Sequence, residues 1–190
     1  MPSGLACGAK EMLYTDYFLG KYDCSVLGDG REVAFYKEMA NKFSKAKNNT
    51  KNYKLLFAHY ESLCLLMSEK YDLGYLTRKA YQERDIARLK QLIKRYTKVE
   101  KYLNKFIEDF RALWYHDNKP HGFDVQDIRL GGVMQRTKSC KERLKLFVAG
   151  KLETIPELEE KLVDYFTGGE LNPEVIATND YHHIASVNIL

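Results

Sequence analysis

Between residues 89 and 113 apolar side chains recur at alternating steps of three and four: Leu89, Leu92, Tyr96, Val99, Leu103, Phe106, Phe110 and Leu113. That period lines one face of a helix, whereas a strand would need alternation at every second residue. The pattern sits in a longer helical stretch from Tyr75 to Tyr115. An unbroken helix of that length spans ~60 Å at 1.5 Å per residue, too long for a compact chain of this size. A break is therefore expected near Lys94–Lys98, where Arg95-Tyr96-Thr97 favours helix least.

The same period recurs on both sides of this stretch. Val33, Tyr36, Ala40 and Phe43 predict a helix over about Arg31 to Lys45. Leu56, Tyr60, Leu63 and Met67 predict another over about Tyr53 to Lys70, which Thr50 or Asn52 is placed to cap. Val133, Thr137, Cys140, Leu144 and Phe147 predict a helix from Asp124 to about Ala149, ended by Gly150. A last helix should start after Thr154, with Pro156 in its first turn and Leu158, Leu162 and Phe166 on its apolar face. The closing Ile184, Val187, Ile189 and Leu190 suit a short extended tail. Residues 1–30, interrupted by Gly4, Gly8, Gly20, Gly28 and Gly30, read as irregular. The fold expected is an all-α bundle of about five or six helices over residues 31–190, preceded by an irregular N-terminal segment, 1–30.

One stretch, from Phe110 to Gly132, must be a corner. It holds the only tryptophan, Trp114, and one of four prolines, Pro120. Pro120 has no N–H to donate and biases Lys119 away from the helical region. His121-Gly122 permits a sharp redirection, and Asp124 is placed to cap the next helix. Gly131-Gly132 costs a helix roughly 1 kcal/mol per glycine against alanine. Close approach of another backbone or of a bound group would explain the pair, and so would a simple junction of loop and helix. Trp114 follows Phe106, Phe110 and Leu113 and reads as a packing anchor, whose truncation to alanine should cost ~3–5 kcal/mol if it is buried.

Composition removes several function classes. Thirty basic and 26 acidic side chains are intermixed, net +4, without the concentrated stripe of a nucleic-acid binder. The cluster Lys42, Lys45, Lys47, Lys51 and Lys54 reads as a solvated face. Cys7, Cys24, Cys64 and Cys140 form no C-x-x-C pair, so neither a disulfide framework nor a zinc site is expected. No apolar run approaches membrane-span length, and the N-terminus lacks the features of a signal peptide, so a cytoplasmic protein is expected. His182-His183 would point to opposite faces of a strand, and Glu108-Asp109 and Glu159-Glu160 do not face each other on a helix. No nucleophile elbow, phosphate loop or dinucleotide fingerprint is present, so no catalytic residue, metal or cofactor is expected. His116, Asp117 and His121 flank the corner, where they could reach a ligand or simply satisfy a turn. Trp114, His116, Asn118, Lys119 and Arg129 are the candidate ligand or interface residues.

Four stretches together resemble a known family. LWYHDNKPHGFDVQDIRLGGVMQR, residues 113–136, is similar to a signature of bacterial glycoside hydrolase family 20-like β-N-acetylhexosaminidases, Leu-Trp-x-x-Glu-Asn-Lys-Pro-Phe-Gly-Phe-Glu-Val-x-Asp-x-Arg-Leu-Gly-Gly. AKEMLYTDYFLGKYD, residues 9–23, resembles the segment that follows the catalytic barrel in those proteins. TRKAYQERDIARLKQL, residues 77–92, and the closing IASVNIL agree as well. Asp117, His121 and Tyr17 stand where the family has Glu, Phe and Pro. The family uses an adjacent Asp-Glu pair, the acid protonating the leaving oxygen while the substrate's acetamido group attacks. This chain contains no Asp-Glu dipeptide and is shorter than a barrel of ~250 residues. The resemblance thus implies the non-catalytic helical domain that follows the barrel, with that catalytic barrel as its partner. A stand-alone helical interaction module is the alternative. Once separated from a barrel, such a domain is expected to form a symmetric dimer, with Met12, Tyr14, Phe18, Leu19, Ile184 or Val187 at the contact. Otherwise both ends fold back onto the bundle.

Overall fold

The computed structural model describes residues 12–20, 23 and 26–160. Among these residues there are helices and no strands: α1 Arg31–Asn48, α2 Lys54–Lys70, α3 Leu73–Gln82, α4 Ile86–Asp117, α5 Phe123–Val148 and a single turn, α6, Pro156–Glu159. The all-α bundle is as expected. Leu162 and Phe166, the extended tail and His182-His183 lie outside the described residues.

The position of the break differs from expectation. Helix α4 runs for 32 residues straight through Lys94–Lys98. Tertiary contacts override the weak local preference there. The Tyr96 ring is fully buried and its hydroxyl lies 3.2 Å from Thr77 Oγ1. Arg95 reaches Asp72 at 2.6 Å and Glu69 at 3.3 Å. The chain breaks instead at Glu83–Asp85. Arg84 takes a left-handed conformation, φ 53°, and Asp85 caps α4 by accepting from Arg88 N at 2.8 Å.

Helix α4 is the spine. Its apolar face, Leu89, Leu92, Tyr96, Val99, Leu103 and Phe106, is wholly buried. Each such side chain contributes about 1.5–3 kcal/mol. Helix α2 packs against it in the opposite direction: His59 stacks near Phe106 and Phe110, while Glu69, at the other end, pairs with Arg95. Helix α5 is also antiparallel to α4, tied by Arg111–Asp127 at 2.8 Å and Lys141–Glu100 at 2.7 Å. Helix α1 lies outside α2 and buries only Ala40. Cys64 and Cys140 are buried free thiols.

The apolar N-terminal segment packs on this bundle. Tyr17 is 2% exposed and Phe18 fully buried. Phe18 is therefore corrected as a surface contact: its ring lies beneath the Arg143 guanidinium, 5.7 Å away. Met12, Tyr14 and Leu19 are half-buried. Ile184 and Val187 lie outside the described residues.

Candidate functional site

The corner is built from the end of α4, residues 118–122 and the start of α5. Pro120 keeps the helix from continuing, and Asn118 N closes α4 on Trp114 O at 2.8 Å. The Trp114 indole donates from Nε1 to Lys119 O at 3.0 Å, so one side chain holds the turn that follows it. Gly122 takes φ 94° and precedes the first helical residue, Phe123. Asp124 is not the cap expected of it. It lies in the first turn and accepts from Gly122 N at 3.0 Å. Phe123 is fully buried at the centre of an aromatic cluster, its ring 5.5 Å from Phe110, 5.9 Å from Trp114 and 5.4 Å from Tyr115. Helix α5 passes unbroken through Gly131-Gly132, which settles the junction reading of that pair against a loop.

Cationic side chains hold the N-terminal segment, Lys70 and Arg78 buried, Arg129 and Arg136 half-buried. Arg129 lies over the Tyr14 ring at 4.7 Å, and the Tyr14 hydroxyl donates to Gln126 at 3.4 Å. Arg136 pairs with Asp16, and Tyr17 shares a 2.8 Å hydrogen bond with Thr137. Lys70 donates from Nζ to Met12 O at 3.1 Å and Thr15 O at 3.0 Å. At the far end Arg78 donates to Phe18 O, Glu157 O, Leu158 O and Glu160 O, with Asp23 alongside. Among the N-terminal segment, α1, α2 and α5 lies a mostly apolar cavity of about 390 Å³, walled by Met12, Leu13, Leu63 and Met67, with Cys64 and Arg129 also at its wall.

Burial pushes the Lys70 ammonium down to about 8, against the pull of Asp16. Its unfolded value is about 10.4. Between these values the unfolded chain binds more protons, so Lys70 makes stability rise with pH across about 8 to 10. Thermal midpoints of the native chain and Lys70→Met, measured from pH 7.5 to 9.5, should show the native chain gaining relative to the variant as pH rises. Parallel profiles would show that the Lys70 charge is not the cause.

Residues 6–176 match the family described as Glycoside Hydrolase 20C C-terminal domain. The chain belongs to that family. No curated protein matches it. The glycoside hydrolase 20C C-terminal domain thus brings the candidate residues Trp114, Asn118 and Lys119 into one hydrogen-bonded turn. His116 lies at its exposed edge, with Nδ1 2.6 Å from Asp117 Oδ1. Arg129 stands apart, one helical turn and more along α5, against Tyr14. Sequence reasoning missed Phe123 as the hub of the corner and Lys70 as a buried clamp. Phe123 had a signal, as the first apolar residue after Gly122; Lys70, at the end of an amphipathic helix, had none. Among the described residues no group of His, Cys, Asp and Glu could hold a metal ion, and no helix is long and apolar enough to cross a membrane.

Proposed function

We propose that this chain serves as the non-catalytic C-terminal domain of a bacterial, cytoplasmic β-N-acetylhexosaminidase-like glycoside hydrolase. It packs against the catalytic barrel, which hydrolyses terminal N-acetylhexosamine residues. The family match carries this reading, together with a sequence lacking the Asp-Glu pair that substrate-assisted hydrolysis requires. The corner residues Trp114, His116, Asn118, Lys119 and Arg129 then act in contacts with ligand or partner and not in bond cleavage. A homodimer is a second contact this reading accommodates, through the half-buried Met12, Tyr14 and Leu19.

The chain alone should not turn over a chromogenic N-acetylglucosaminide above background. The same domain joined to its barrel should do so. Turnover by the chain alone that disappears when one of its own carboxylates is replaced would overturn the proposal.

A further inference from the structure

Four separate parts of the chain build the cavity beside the N-terminal segment. Leu13 and Tyr14 come from the segment, Tyr36 from α1, Leu63 and Met67 from α2, and Arg129 from α5. Hydrogen bonds outside the cavity pin these walls. Lys70 holds the backbone of the segment through Met12 O at 3.1 Å and Thr15 O at 3.0 Å. The Tyr36 hydroxyl donates to the Met12 sulfur at 3.5 Å, and the Tyr14 hydroxyl to Gln126 at 3.4 Å. Leu13, Tyr14, Tyr36, Leu63 and Arg129 are half-buried, so the cavity opens at the surface, while Met67 is buried and lies deeper.

Its volume, about 390 Å³, is that of a small-molecule pocket. The wall selects the class of molecule. A sugar fits badly, because each of its hydroxyls needs a partner and the Tyr14 and Tyr36 hydroxyls are already engaged. Water fits little better, since each molecule needs about two to four polar partners. An aliphatic chain needs none. The unbranched side chains of Met12 and Met67 adapt readily to its outline.

Among the described residues the wall carries one charged side chain, Arg129. This is the candidate ligand residue that stands apart from the corner. Its guanidinium lies over the Tyr14 ring at 4.7 Å, which fixes its place at the wall. A guanidinium has five N–H donors and serves several acceptors at once, a carboxylate through two parallel bonds. Burial pushes both the Cys64 thiol and the Tyr14 phenol up, so neither adds negative charge beside it.

We infer that this cavity binds an aliphatic carboxylate, its chain among Leu13, Leu63 and Met67 and its headgroup on Arg129. The site is independent of any barrel, so this chain alone suffices for the test. Decanoate, kept below its micelle concentration, is the probe, followed through isotope-labelled methionine methyl resonances. The Met12 and Met67 methyls should shift along one saturable curve, while Met134, buried on α5 outside the cavity wall, stays in place. Decan-1-ol and decyltrimethylammonium should bind about tenfold more weakly or worse, the difference one charge-assisted hydrogen bond makes. Arg129→Met should weaken decanoate by about the same factor and leave decan-1-ol unchanged, with an unshifted Met134 methyl reporting an intact core. Shifts that never saturate, or that reach Met134 alike, would mean adsorption to the surface and overturn the site. Equal affinity of the native chain for all three probes would overturn the carboxylate. That comparison needs no variant, so it decides the matter even where Arg129→Met fails to fold.

Discussion

Replacing Arg78 by methionine is expected to cost about 3–5 kcal/mol of stability, because it removes one partner of a buried charged network. The guanidinium is 4% exposed and donates to four carbonyls drawn from two separate segments. Methionine fills much of the volume and satisfies none of them. Each buried acceptor left without a donor costs about 1–3 kcal/mol, less where water enters. Asp23 adds to the loss. Burial already raises its carboxyl to about 6, although the Arg78 Nε lies only 3.6 Å away. Without the cation the carboxyl must be neutral in the folded chain, so the variant should lose further stability as pH rises from about 4 through the folded value. Urea unfolding at pH 5 and pH 7.5 measures both effects. A midpoint within error of the native chain at both would show that the clamp holds nothing.

Phe123→Ala should cost about 3–5 kcal/mol, the usual loss for a fully buried aromatic ring. The ring fills the angle between α4 and α5, touching Phe110, Trp114 and Tyr115, and the Arg111 guanidinium covers it at 5.4 Å. Trp114→Ala should cost less, about 2 kcal/mol: the indole is only half-buried and loses one hydrogen bond, to Lys119 O, along with partial burial. The order of the two variants in thermal denaturation is the decisive observation. A larger loss for Trp114→Ala would make the tryptophan, not the phenylalanine, the hub of the corner.

The periodic faces of α4 and α5 were legible in the sequence because a step of three and four admits one structure. The corner was legible because Pro120 and Gly122 restrict the backbone directly. The interruption of the long helical stretch was not. Arg95-Tyr96-Thr97 looked weak by propensity, yet Arg95 and Tyr96 are among the best-anchored residues of α4. Local preference differs by tenths of a kcal/mol, whereas burying one large ring contributes several-fold more. The cap at Asp85 was the better signal. The fate of Phe18 was equally hidden: an apolar cluster without a helix of its own must pack on something, and only the Arg78, Arg136 and Lys70 partners show on what. For the candidate site, the turn joining Trp114 to Lys119 followed from Pro120. The separation of Arg129 from that turn did not, because it depends on where Tyr14 lands.

The Arg78 clamp also bears on the order in which the molecule assembles. The hairpins α1–α2 and α4–α5 join neighbours along the chain, and such local pairings close quickly. The bonds from Arg78 to Phe18 and Leu158 span 60 and 80 residues. They close large loops, which makes them late to form and, when unfolding begins, early to break. Tightening them would then slow unfolding far more than it would speed folding. Arg78 is thus a position where a change is expected to alter the lifetime of the folded domain more than its rate of folding.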